Sequence, residues 1–441
     1  MIGRTNAGGK TVRLIGVSIT TPPDQVEYSV DDTLDLTGLV VTASYSDGST
    51  ADITSECTFN PSEGTTLNTG HTQVTISYRT YTLYQAISVV DVHIYGVYWD
   101  GTSGPAMTRT DDAANFTDPV PYVSGASSYG SPFDSLAPWS GMEIITDSEA
   151  GKLVKIPKFW YKWTRSNDTM KLQIADKATE GFLVSPAHAD RGDGSGERDY
   201  VYVGRYHCST SDYKSTSGVK PKASITRSAA RTAIANLGTK VWQWDYAMLW
   251  TIRMLYLVEY ANWNSQAKIG YGCGNNSATE NTGSTDSMPY HTGTMKSSRS
   301  TYGVGCQYRY IEDLWGNVLD WCDGIYFSGS TVYGIKNPAN FSDSSGGTNI
   351  GTRATSDGCI KKWTNPSASG FEYALYPSEI VSDSNYATYI CDHCDYDSSG
   401  VVLYVGGLYY QYQYYGLFYM DGSSAASYSN GGIGSRLQKL P

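Results

Sequence analysis

The chain has 441 residues, carries a formal net charge of −11 and has an isoelectric point near 5.0, a balance that disfavours a nucleic-acid partner, since that needs a basic face. Only 17% of residues are charged while Gly reaches 46 and Tyr 37, which points to a β- and loop-rich protein that works outside the cytosol and argues against a cytosolic enzyme. No run is long enough for a membrane helix, the opening MIGRTNAGGKTVRLIGV lacks the apolar core of a signal peptide, and the length suits two or three domains.

Residues 1–11 read as a disordered or linker N-terminus. Residues 12–95 then read as short strands. Val17–Ile19, Val26–Tyr28, Leu39–Tyr45, Val74–Tyr78 and Ile87–Val92 alternate or run apolar, and Pro22-Pro23, Asp31-Asp32, Asp47-Gly48, Pro61 and Asn68-Thr69-Gly70 punctuate them. That spacing predicts an all-β sandwich. The residues Tyr28, Asp31, Asp32, Leu34, Asp35, Leu36, Gly38 to Val41 and Ser46 to Ser49 resemble the bacterial immunoglobulin-like domains. The resemblance implies a spacer or adhesive module without catalytic residues.

From residue 96 to 160 the chain reads as a Gly-, Pro-, Ser- and Asp-rich bridge with sparse regular structure, anchored by Trp99, Phe116, Tyr122, Phe133 and Trp139. WDGTS, TRTDDA and FTDPVP within it resemble a segment of phage tail-associated and prophage-encoded proteins that opens a C-type-lectin-like domain. Leu153 to Trp163 reads as one aromatic strand. Asp190, Asp193, Glu197 and Asp199 surround a Gly-rich loop, but their spacing fits no EF-hand, so a solvated loop is expected there and no metal. Two helices follow. One spans RSAARTAIANL after Ser224 to Thr226 and stops at Gly238; the other starts at Asp245 and is apolar nearly all round, hence buried. Arg253 and Glu259 in it are expected to satisfy core loops. Residues 270–310 read as a long ordered loop, and 325–404 as short strands between loops.

The eight cysteines are scattered and make no disulfide ladder. Cys391 and Cys394 have C-x-x-C spacing with His393 between them. Neither a second pair at zinc spacing nor a thioredoxin-like pattern accompanies them, so free thiols or one local disulfide are expected.

The last stretch, Val405 to Leu437, alternates two kinds of residue. Gly406, Gly407, Gly416, Phe418 and Ile433-Gly434-Ser435-Arg436-Leu437 read as framework. Tyr409, Tyr410, Tyr412, Tyr414, Tyr415, Tyr419 and Tyr428, with Gln411, Gln413, Asp421, Ser423, Ser424 and Asn430 between them, read as contact chemistry. Tyrosine supplies large amphipathic contact at low entropic cost, and Ser, Gly and Asn supply adaptable hydrogen bonds. The competing reading is an aromatic β-hairpin packed on itself, because Tyr is also a good strand former.

IEDLWGNVLDWCDGI resembles the Gly-Asn-Val-Trp-Glu-Trp signature of the formylglycine-generating (sulfatase-modifying) enzymes, through Gly316, Asn317, Val318, Asp320 and Trp321, with Leu319 in place of the usual Trp. The resemblance covers about 97–441. It implies a C-type-lectin-like fold, α+β with two helices and much irregular loop, with Gly316, Asn317, Trp321, Gly434 and Arg436 as scaffold. The activity does not carry over. The family's two catalytic cysteines fall at Gln411 and Gly416, which cannot act as thiolates, and Cys391 and Cys394 lie upstream.

The spacing of Gly407, eight residues, Gly416, sixteen residues, then Ile433-Gly434-Ser435-Arg436 is similar to the variable proteins of diversity-generating retroelements, many of them phage receptor-binding proteins. In that family adenine-directed mutagenesis diversifies chosen codons. The resemblance implies variable, ligand-binding positions at Leu408, Tyr410, Tyr412, Tyr414, Tyr415, Asp421, Ser423, Ser424, Tyr428, Asn430 and Gly432. Tyr409, Gln411, Gln413 and Tyr419 would be fixed contacts. The expected domains are an immunoglobulin-like domain over 12–95 and a lectin-like ligand-binding domain over 96–441. The expected function is non-enzymatic binding of a host-surface protein or glycan by a virion tail or bacterial-surface protein. Other tail proteins are potential partners, and oligomers are open. Cofactors, metals and membrane insertion are not expected. The alternatives are an oxidase of the sulfatase-modifying type and a calcium-dependent lectin, for which the Glu-Pro-Asn or Gln-Pro-Asp and Trp-Asn-Asp sugar motifs are missing.

Overall fold

The computed structural model describes residues 4–5, 11–101, 104–166, 168–366, 368–382 and 388–441. The chain is a β-rich, multi-domain protein that divides into two compact units, Met1–His93 and Ile94–Pro441. Most of the expected N-terminal linker over 1–11 lies outside the described residues; Arg4–Thr5 pairs with Thr11–Val12.

In the first unit Leu14–Thr21, Val40–Tyr45 and Thr50–Asp52 form one antiparallel sheet, and Thr58–Asn60, Gln73–Tyr78 and Tyr81–Ala86 a second. Glu27–Ser29 and Ser88–Val90 add a parallel pair. Alternation decides which face is buried: Val41 and Ala43 of one sheet and Val74, Ile76 and Tyr78 of the other point into a single cluster with Leu34, Leu36, Ile53 and Leu67. The Ser46 to Ser49 tip is a tight hairpin, closed by Tyr45 N donating to Ser49 O at 2.9 Å, with the Asp47 carboxylate accepting from the Ser49 amide. Thr50–Asp52, Thr58–Asn60 and Tyr81–Ala86 were not expected as strands. Each is short, or too rich in Thr and Tyr for a plain apolar pattern.

The second unit is organised around α2, Tyr246–Tyr260, all fifteen of whose residues are buried. Asp245 caps its start by accepting from Met248 N at 2.9 Å, and its end turns left-handed at Ala261 (φ 48). The orphan carbonyls of Val258 and Glu259 are taken by Arg109, at 2.7 and 2.6 Å. The charged residues inside α2 do satisfy the core. Glu259 receives Arg309 and the Tyr308 hydroxyl, and Arg253 donates to Leu417 O at 3.0 Å. α1 spans Arg227–Ala235 with Thr226 as its cap, and α3 spans Ser265–Lys268.

Two five-stranded sheets and one of seven surround this core. Ile94–Trp99 is a strand of the first, between Thr108–Asp111 and Thr169–Ala175, so the contact boundary falls before Ile94, not at 95/96. The expectation of sparse structure over 96–160 is corrected as well. That span contains Thr108–Asp111, which pairs with the nearby Ile94–Trp99, and Glu143–Asp147, which pairs with Gly151–Pro157; the last is also held by the distant Tyr200–Gly204. Leu153–Trp163 is not one strand. Gly151–Pro157 pairs with Tyr200–Gly204, whereas Trp160–Ser166 pairs with Thr169–Ala175 in another sheet, and Pro157 marks the break.

In the seven-stranded sheet Leu319–Cys322 lies between Val402–Val405, antiparallel, and Ile433–Ser435, parallel. The two stretches singled out in the sequence, around Trp321 and around Ile433, are therefore adjacent strands. None of the eight cysteines is in a disulfide, and seven are buried. Among the described residues no helix is long and apolar enough to cross a membrane, and no group of three or more His, Cys, Asp or Glu is placed to hold a metal ion. The acidic loop residues already have partners: Asp193 pairs with Arg198, Asp199 with Lys158 at 2.8 Å, and Asp190 accepts from Gly192 N at 2.8 Å.

Candidate functional site

The terminal stretch is strand only at its ends. Val402–Val405 leaves the sheet at Gly406, the chain runs as turns through Tyr419, and Met420–Ser424 re-enters. The Tyr run is thus a loop and not a hairpin strand. Gly406 is required where the loop departs: its φ is +78 and a Cβ would sit 2.9 Å from Leu314 O.

Beneath the loop the framework residues are tied to the core. Asp392 accepts from Gly416 N at 3.0 Å and Phe418 N at 2.7 Å, and Ser265 Oγ accepts from Leu417 N at 2.9 Å. Phe418 is fully buried against Trp263, ring centroids 4.9 Å apart. Asn317, left-handed at φ 69, is clamped on both sides of its amide: Oδ1 accepts from Glu280 N at 2.9 Å, and Nδ2 donates to Glu280 O at 3.2 Å and Asp313 at 3.0 Å. Its backbone carbonyl accepts from Tyr409 N at 3.0 Å, so Asn317 carries the first turn of the loop. Gly316 beside it (φ +87) passes within 2.8 Å of the Cys273 backbone, measured from where a Cβ would be. Trp321 is fully buried and donates its indole N–H to Ile225 O at 2.8 Å. Gly407 and Gly434 are buried, each close against backbone, of Tyr415 and Lys222 respectively. Asn317→Ala is expected to lower stability by about 1–2 kcal/mol, because the buried Asp313 and both backbone groups of Glu280 lose their bonds; a denaturant titration measures it.

Above this frame the side chains emerge. Tyr410 and Tyr412 are 52% and 54% exposed, and Tyr409, Gln411, Gln413, Tyr414 and Tyr415 are half-buried. Tyr409 and Tyr410 meet edge to face at 5.0 Å, and Tyr415 packs on Tyr419 at 4.7 Å. Gln411 is a strut as well as a contact: its Oε1 accepts from Leu408 N at 2.9 Å. In the second half Tyr428 and Asn430 are exposed and Ser423 is half-buried. Both halves pack on one small cluster, which holds Tyr404, Leu408, Tyr419 and Ile433, with Tyr409, Tyr415 and Ala426 against it.

Five of the expected contact residues are corrected by their burial. Leu408 and Gly432 form an internal contact: Leu408 fills the cluster, and a Cβ on Gly432 would strike its side chain at 2.2 Å. Tyr419, 1% exposed, spends its hydroxyl on Asp395 at 2.6 Å. Asp421 is held between the Tyr419 hydroxyl (3.1 Å) and Ser423, and Ser424 lies 3.2 Å from the Tyr404 hydroxyl. Burial, with Asp395 nearby, raises the Asp421 carboxyl above its usual range. Burial acts on Asp395 too, but hydrogen bonds from His393 and Tyr419 hold it low. These groups support the surface from below.

The structure adds residues from two distant loops. The Tyr412 hydroxyl donates to Asn275 Oδ1 at 3.0 Å, its ring meets Tyr302 edge-on at 5.7 Å, and Tyr302 packs on Tyr271 at 4.8 Å. His393 donates its backbone N–H to Tyr414 O at 2.9 Å and lies against the rings of Tyr414 and Tyr415. Nothing local in the sequence marked Tyr302 or Asn275, which lie more than a hundred residues from the loop they brace. The surface is aromatic, hydroxyl-rich and amide-rich; its exposed part carries no ordered pair of acid and base and no thiol.

No family model and no curated protein matches this chain.

Proposed function

We propose that Ile94–Pro441 is a non-enzymatic binding domain that presents the 409–415 tyrosines, with Tyr428 and Asn430, to a host-surface protein or glycan. In this reading the chain is a variable protein of a diversity-generating retroelement, carried by a phage tail or a bacterial surface. Its larger unit is C-type-lectin-like, and the unit ending at His93 is a bacterial immunoglobulin-like sandwich that acts as spacer or attachment module.

One observation carries the proposal. The chain separates sharply into a buried frame (Gly406, Gly407, Gly416, Phe418, Ile433 to Arg436) and an exposed aromatic surface on a turn-rich loop. Side chains at Tyr410 and Tyr428 can change without disturbing the buried frame, which is what a diversified site requires. Exposed aromatic patches of this kind are otherwise a liability and favour a partner. The sandwich assignment draws support from the two sheets that share one core. Against an oxidase stands the chemistry of Gln411 and Gly416: neither is a thiol, and Gly416 is fixed to Asp392.

The test is genetic. The locus is sequenced across related isolates, together with its flanking DNA. Substitutions concentrated at Tyr410, Tyr412, Tyr414, Tyr415, Tyr428 and Asn430, beside an adenine-rich near-copy and a reverse-transcriptase gene, support the proposal. Changes spread evenly along the chain with no template refute it. Once a ligand is in hand, Tyr410→Ala is expected to weaken binding by about 1–2 kcal/mol with the melting temperature unchanged. Equal losses of both would make Tyr410 a packing residue.

A further inference from the structure

A second concave site lies elsewhere on the larger unit and shares no residue with the tyrosine surface. It is a cleft of about 330 Å³ beside the strands Trp160–Ser166 and Leu183–Val184, lined by Tyr161, Phe182, Leu183, Pro186, Lys336 and Tyr373 among others. That volume is at the small end of the roughly 300–1,000 Å³ of ligand pockets, so it suits a single small ring.

Two lining residues are buried phenols. Tyr161 is 2% exposed and Tyr373 7%, yet no group among the described residues hydrogen-bonds either hydroxyl. A phenol hydroxyl on a cleft wall with no protein partner is open to water or to a ligand group that can take its bond. Burial pushes both phenols above their usual range, so each stays protonated and can both donate and accept. Lys336 brings an ammonium with no carboxylate partner among the described residues; its Nζ lies 5.3 Å from the Phe371 ring centroid. Glu372 lines the same space and, among the described residues, accepts only from the Gly370 amide, at 2.9 Å.

The charge balance narrows the ligand. Arg191 also lines the cleft, but its Nε and Nη2 are spent on Lys336 O and the buried Asp245, each at 2.7 Å, so it offers no two-pronged grip for a carboxylate. Glu197 lies 4.0 Å from Lys158, and Asp190 already accepts a backbone amide. Among the described residues Lys336 remains as a cation, facing Glu372 and Asp190 as carboxylates with no ion pair. A net charge on the ligand would meet a like charge on one side, while a neutral ligand bearing several hydroxyls satisfies both. The ring faces of Tyr161, Phe182 and Tyr373 supply the apolar contact that a saturated ring needs.

We propose that this cleft is a second binding site, which takes a neutral, hydroxyl-rich ring of monosaccharide size. The test is calorimetric titration of the full chain with glucose, galactose, mannose and N-acetylglucosamine, with zwitterionic glycine and anionic acetate as charged controls. At least one sugar is expected to saturate at millimolar concentration, with the charged controls inert. Tyr161→Phe and Tyr373→Phe, which keep the rings, should each weaken that sugar about tenfold with an unchanged melting temperature, whereas Tyr410→Ala should leave it unaffected. The proposal is overturned if no sugar saturates, if glycine or acetate binds in their place, or if binding survives both Tyr→Phe changes. Loss of sugar binding in Tyr410→Ala alone would move the site to the tyrosine loop and overturn it too.

Discussion

Replacing Arg436 by Leu is expected to destabilise the larger unit by about 3–5 kcal/mol, read as a fall in the midpoint of denaturant unfolding. The guanidinium is fully buried and reaches five acceptors: Asp320 Oδ2 at 3.2 Å, Gly204 O at 2.8 Å, Arg205 O at 3.1 Å, Glu312 O at 2.8 Å and Asp313 O at 3.0 Å. These belong to three separate segments of the chain. Leu retains bulk and loses every donor, so the Asp320 carboxylate, whose other oxygen is 3.0 Å from His207 Nδ1, would be left without its main counter-charge. A loss below about 1 kcal/mol would mean that water enters and satisfies the carbonyls, and that the segments hold together without the arginine.

The second large effect depends on pH. Asp392 is buried, and burial raises its carboxyl from 3.8 to about 7, against the amide bonds from Phe418 and Gly416 that favour the ionised form. The sign follows from which state binds more protons. Between about pH 4 and pH 7 the folded protein keeps the Asp392 proton and the unfolded chain releases it, so this group's contribution to stability falls as pH rises and is flat above about 7. Asp392→Asn fixes the uncharged form. The stability of the variant relative to the natural protein is therefore expected to rise by about 2–3 kcal/mol from pH 5 to pH 8. A constant difference across that range would place the Asp392 carboxyl in the ordinary carboxylate range.

Local signals were legible in the sequence where the physics is local. The Asp245 cap, the all-round apolar α2 and the Ser46 to Ser49 hairpin tip depend on neighbouring residues alone. The buried frame of the terminal stretch was legible too, through its glycines. Exposure within that stretch was not. Asp421 and Ser424 are polar and read as surface, yet cross-strand pairing with Val402–Val405 turns them inward. Leu408 was assigned to the contact set by spacing and belongs to the core by chemistry. Tyr302, Asn275 and His393 join the surface through contacts that no short window of sequence contains. The strand Ile94–Trp99 was hidden in a loop-like composition because its partner, Thr169–Ala175, lies far downstream.

One arrangement bears on how the molecule is made. Leu437–Lys439 is an inner strand, inserted between Tyr200–Gly204 and Val241–Gln243, and Gln438 reaches Asp245 at 2.8 Å, at the start of α2. During synthesis the central helix therefore leaves the ribosome long before the strand that seals its end. Until then a helix apolar nearly all round has no complete enclosure, and the nascent chain must be shielded from self-association. Folding of the larger unit accordingly cannot be completed before Lys439 has emerged, and fusions or deletions that obstruct this inner strand should yield aggregates where a milder lesion would yield a weakened binder.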